Sequence, residues 1–162
     1  MAERWVINAS PVILLAKAGV IALLPRVCDE LVIPFGVVRE VSTGESSDAG
    51  RAWLAGDGAR YVVASPFIPR QLEEADLGFG EAEVLAWAMG HPGFTVVLDD
   101  RQGRSWAKRL KLPFTGSLGV VVFLKQRRLI QAARPVVERI RSVGGYVSEI
   151  AIRAALAAAG ER

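Results

Sequence analysis

The chain has 162 residues, 51% of them hydrophobic, and a formal net charge of +3, enough apolar material for one well-filled domain without disulfide or metal staples. Its lone Cys28 closes no intramolecular disulfide, and its lone His91 leaves too few soft ligands for a structural zinc site, which places the chain in the reducing cytoplasm. The most apolar stretch, VINASPVILLAKAGVIALL, is interrupted by Asn8, Ser10, Pro11 and Lys17, so it reads neither as a membrane span nor, with Glu3 before it, as a signal peptide.

Taken in chain order, short apolar runs alternate with longer helical patterns, the signature of an α/β domain with a mainly parallel sheet flanked by helices. Trp5 to Ile7 predicts a first strand, and Ser10 with Pro11 predicts the cap and first turn of a helix carrying Ile13, Leu14 and Leu15. Leu31 to Ile33 predicts a second strand. Pro34 then opens a helix bearing Val37, Val38 and Val41, and Ser46 or Ser47 caps another through Leu54. Tyr61 to Val63 reads as a third strand and Ser65 to Gly80, with two prolines and two glycines, as a loop. Glu81 to Met89 is apolar on nearly every side, which implies a buried helix. Thr95 to Leu98 is a buried strand ending in Asp99 and Asp100. Arg104 to Leu110 forms a basic helix, Pro113 to Thr115 a short strand, and Ser117 caps a helix to about Lys125. Pro135 and Ser148 begin the last two helices. No linker divides residues 1–162, so they are expected to fold as one unit.

Charge is sorted along the chain. Residues 1–100 carry 7 Lys/Arg against 14 Asp/Glu, a net of −7, whereas residues 101–162 carry 13 Lys/Arg against three glutamates, a net of +10. Either these charges mix on a solvated surface, or carboxylates for a cation lie beside arginines for a polyanion.

Parallel sheets place their sites at the carboxyl ends of strands, so the polar residues just after strand-like runs are the candidates. These are Asn8, Glu40, Glu81, and Asp99 with Asp100; converging, they offer oxygen ligands to magnesium or manganese. Structural readings stand beside this one. Glu81 and Glu83 lie in a first helical turn, where the helix dipole favours acids; Glu40 borders the apolar face as a solvated glutamate would; one aspartate of the pair can cap a helix; Asn8 can be a turn residue. Two adjacent aspartates at the mouth of a buried strand repel each other, and a cation relieves that cost.

Together, VINASPVILLAKAGVIALLP, IPFGVVREV, LGFGEAEVLAWA, VVLDDRQGRSWAKRLKLPFTGSLGVVVFLKQRRLI and SEIAIRAAL resemble an uncharacterised PIN-like domain family related to VapC-type toxins. The order and spacing of GEAE, LDDR and TGSLG carry most of the resemblance. It implies a PIN-like fold and a metal-dependent nuclease acting on RNA, with a small antitoxin as partner. By position it places the family's acids at Asn8, Glu40, Glu81 and Asp100, with Asp99 as a rival to the last. Ser10 falls where that block has a small hydroxyl residue, and Ser117 where a hydroxyl often lies near the metal. Asn8 stands where such nucleases commonly have aspartate, and Glu81 where many relatives have the shorter acid.

Two functions are compatible with these residues. The first is a metal-dependent endoribonuclease of the PIN/VapC toxin type, with magnesium or manganese held by Glu40, Glu81, Asp100 and Asn8 and RNA phosphates met by Arg101, Arg104, Lys108 and Arg109. The second is a catalytically weakened PIN-fold module that binds nucleic acid or an antitoxin. Trp53, Trp87 and Trp106 serve either the core or a homodimer face.

Overall fold

The computed structural model describes residues 3–44 and 48–162. Within them, five strands form one all-parallel sheet: β1 (Arg4–Ile7), β2 (Glu30–Pro34), β3 (Val62–Val63), β4 (Phe94–Val97) and β5 (Phe114–Thr115), in the order β3-β2-β1-β4-β5. Among the same described residues, ten helices surround it: α1 (Ala9–Lys17), α2 (Leu24–Val27), α3 (Phe35–Thr43), α4 (Asp48–Ala55), α5 (Arg70–Glu73), α6 (Phe79–Gly90), α7 (Arg101–Arg109), α8 (Ser117–Gln126), α9 (Arg134–Ser142) and α10 (Glu149–Ala158). The expected α/β layering is therefore present.

Successive strand residues point to opposite faces, so the complete burial of Trp5, Val6 and Ile7 in succession means that both faces of β1 are covered. Helix α6 lies across β1, β2 and β4, and its burial on nearly every side follows from its apolar circumference. The Trp5 ring meets Phe123 of α8 edge-on at 5.5 Å. Both sheet edges are two-residue strands, which leaves little unpaired backbone for edge-to-edge association.

Several boundaries differ from the sequence expectations. Asn8, not Ser10, occupies the cap position of α1, and Ser117 is the first helical residue of α8 behind Gly116. Helix α6 starts at Phe79 and α7 at Arg101. Tyr61 ends a 3-10 turn, Asp57–Tyr61, rather than opening β3, and the 65–80 loop contains the single turn α5. The 3-10 turn Ile21–Leu23 and α2 had no counterpart in the pattern reading. The capping expectation at Ser46 or Ser47 lies outside the described residues. Among those described, no single helix is long and apolar enough to cross a membrane. Cys28 is buried, its thiol donates to the Leu24 carbonyl, and burial pushes its pKa up to about 12, so it packs as an inert thiol.

Candidate metal centre

The strand order reverses between β1 and β4, and the crevice outside their carboxyl ends is where such sheets bind ligands. Asn8 follows β1 and Asp99 follows β4, and the Asn8 N–H donates to the Val97 carbonyl at 2.9 Å, which ties the two strand ends together. Asn8 is 5% exposed, its side chain makes no cap hydrogen bond, and Oδ1 is left without a partner among the described residues. A buried acceptor left unpaired costs about 1–3 kcal/mol.

Asp99 is saturated. Its Oδ1 accepts the Ser117 N–H at 2.7 Å, and its Oδ2 accepts the hydroxyls of Ser117 at 2.7 Å and Ser10 at 3.2 Å. The two serines thus converge on one carboxylate at the start of α8, where the helix dipole also favours negative charge. Asp100 turns the other way: it caps α7 through the Gly103 N–H at 3.0 Å and hydrogen-bonds Glu81.

Glu40 reaches across to the start of α6, where its Oε1 accepts the Gly80 N–H at 2.8 Å. Glu83 reaches back from α6 to the start of α3 and accepts the Gly36 N–H at 2.9 Å. The two antiparallel helices therefore exchange carboxylate caps. Glu83 was legible only as an acid in a first turn; its cross-helix partner, 47 residues away, left no local signal.

Glu81 lies between Glu40 and Asp100. Burial, then the charge and hydrogen bond of Asp100, then the charge of Glu40, push its carboxyl up to about 7 from the ordinary 4.5. The structure thus brings Glu40, Glu81 and Asp100 into electrostatic contact. Helix α7 can lie this close only because residue 103 is glycine: a Cβ there would stand 2.8 Å from the Glu81 carboxyl carbon. Among the described residues, no three acidic side chains form a ready-made metal-ligand group, and Glu40 and Asp100 each give one oxygen to a helix start. The donor chemistry nevertheless fits a hard divalent cation: every group is an oxygen donor, and Asn8 contributes an orphaned carbonyl.

A family model described as a PIN domain matches residues 4–161. The chain belongs to the PIN domain family. Comparison with curated proteins and with solved structures returns no match. A PIN domain is a nuclease-type fold, its members generally depend on a divalent metal, and it suggests nucleic-acid binding.

In this PIN domain, Arg101, Arg104, Lys108 and Arg109 are all exposed on α7, directly after Asp100, and make no ion pair among the described residues. Arg104 lies over the Phe114 ring at 5.2 Å and Arg109 over Trp106 at 4.4 Å, so aromatic faces support two of these cations. Trp53 stacks on Tyr61 and Trp87 on His91, the latter at 3.8 Å, which assigns both indoles to intramolecular packing. His91 also hydrogen-bonds the Trp87 carbonyl at 2.8 Å.

Proposed function

We propose that this PIN domain is a metal-dependent endoribonuclease of the VapC toxin type, with residues 1–162 acting as one unit. Asn8, Glu40, Glu81 and Asp100 would hold magnesium or manganese. When bound, such an ion polarises a phosphodiester and lowers the pKa of an attacking water.

The protein's own contribution is positional and electrostatic. Ser10 and Ser117 hold Asp99 and thereby fix the strand end from which Asp100 projects. Glu81, whose carboxyl is pushed up to about 7, would have to give up its proton to serve as a ligand, which would couple metal binding to pH. Arg101, Arg104, Lys108 and Arg109 supply positive charge for backbone phosphates next to the acids.

The observation that carries this reading is the Glu81 carboxyl. Burial first, then the nearby charges of Asp100 and Glu40 from two other segments, raise this carboxyl at the carboxyl edge of the sheet, and carboxyls perturbed in this way cluster at functional sites. Thermal melting with millimolar manganese or magnesium tests it, because a bound cation relieves that repulsion and raises the melting temperature. A melting temperature that ignores manganese, while Glu81→Gln raises it, contradicts the reading.

A second reading is a PIN-fold module that binds RNA or an antitoxin without cleaving. It is favoured by the neutral Asn8 and by the absence, among the described residues, of a preassembled acidic triad. Such a module binds RNA through α7 with no metal requirement.

A further inference from the structure

We propose that Phe35 and Phe79 form base-stacking positions that hold a single strand of nucleic acid against the acidic centre. This rests on the nucleic-acid reading above and specifies its substrate as unpaired.

The two phenylalanines are the first residues of α3 and α6, and they are 49% and 61% exposed. Each immediately precedes a glycine whose N–H is held by one of the exchanged carboxylates, Gly36 by Glu83 and Gly80 by Glu40. Their backbones are therefore pinned at the two helix starts. The register that pairs Val6 with Val32 sets Asn8 level with Pro34, so Phe35 follows the carboxyl end of the strand beside β1, at the same sheet edge as Asn8. Phe79 is two residues before Glu81. Exposed Arg39, which makes no ion pair among the described residues, places its guanidinium 5.2 Å from the Phe79 ring centre.

Arg39, four residues after Phe35 on α3, sets a cation against the Phe79 ring, which a purely apolar patch of the kind a protein partner covers does not have. A flat ring with a cation beside it, next to a site for a phosphodiester, matches the face of an unpaired base and its phosphate. Bases in a duplex are already stacked and present no such face.

The test is fluorescence anisotropy in EDTA, so that binding is read without cleavage, using a labelled 12-nucleotide RNA and the same sequence as a duplex. Phe35→Ala and Phe79→Ala are each expected to weaken single-strand binding roughly five- to hundredfold and to change duplex binding little. Tyr146→Ala serves as the control. Its exposed ring lies beyond α9, whose Arg139 reaches the Ala18 carbonyl at the far end of α1 from Asn8. Phe79→Trp, which keeps an aromatic face, is expected to retain affinity and to show added indole quenching on binding.

Unchanged single-strand affinity in both alanine variants, equal losses on duplex, or a Phe79→Trp variant whose added indole RNA does not quench overturns the proposal. If RNA binding and cleavage persist while these variants behave as wild type, only the stacking assignment fails. If the unaltered protein binds no RNA, the nucleic-acid reading falls with it.

Discussion

Ser117 holds both oxygens of Asp99, its N–H on one and its hydroxyl on the other, each at 2.7 Å. With Ser10 as a third donor, Asp99 joins the starts of α1 and α8 to the end of β4. Its neighbour Asp100 is left facing Glu81. Two adjacent aspartates thus divide the work: one fixes the strand end and the other enters the acidic centre.

Replacing these two residues should therefore have opposite effects on folding. Asp99→Ala strands three donors and is expected to cost about 1–3 kcal/mol, and Ser117→Ala about 1 kcal/mol. Asp100→Asn keeps a good helix cap while removing charge beside Glu81, so it should leave stability unchanged or raise it. Urea unfolding at neutral pH without metal measures all three.

The Glu81 carboxyl makes stability depend on pH in a defined window. Below about pH 4.5 it is neutral in folded and unfolded chains alike; between there and about 7 the unfolded chain ionises while the folded chain keeps its proton. The unfolded state then binds fewer protons, so this group's contribution falls as pH rises through the window and levels off above it. Glu81→Gln should accordingly raise metal-free stability on the order of 1–3 kcal/mol at pH 8 and have almost no effect at pH 4.5. A gain that is the same at both values contradicts the account.

The exchanged caps make their own prediction. Glu83 is 8% exposed, and Glu83→Ala leaves the Gly36 N–H buried and unpaired, at an expected cost of about 1–3 kcal/mol. Gly36→Ala should also destabilise, because its Cβ would fall 2.3 Å from a Glu83 oxygen. If α3 and α6 are tied only by apolar packing, Glu83→Gln and Glu83→Ala will be indistinguishable in urea.

The limits of the sequence follow from the range of each interaction. The strands around Trp5–Ile7 and Thr95–Leu98 were legible because burial is written in consecutive residues, and the acids could be located because strand ends are local. Ser10 and Ser117 had good capping spacing, yet both turn to Asp99, which is 89 residues from Ser10. The same holds for Glu83 and Gly36: no window in the sequence contains both partners. Helix α2 is a single four-residue turn with proline in its first turn, too short for a helical period to show in the sequence.

On α7, Arg104 and Lys108 are exposed and four residues apart. Replacing both by alanine should weaken RNA binding and reduce the salt slope by about 1.4, two single-strand phosphate contacts' worth, with little change in folding stability. An unchanged slope would place the phosphate contacts on another surface.

The most direct measurement is cleavage of a mixed-sequence RNA across magnesium and manganese concentrations by the unaltered protein, Asn8→Asp and Asp100→Asn. Asn8 offers one neutral oxygen where a charged one binds a divalent cation more tightly, so the account predicts weak, manganese-favouring cleavage abolished by EDTA. Asn8→Asp should cleave faster at lower metal concentration, and Asp100→Asn should not cleave. Cleavage that survives EDTA and Asp100→Asn, or an Asn8→Asp protein that binds metal no better and cleaves no faster, would contradict a metal-dependent nuclease centred on these residues.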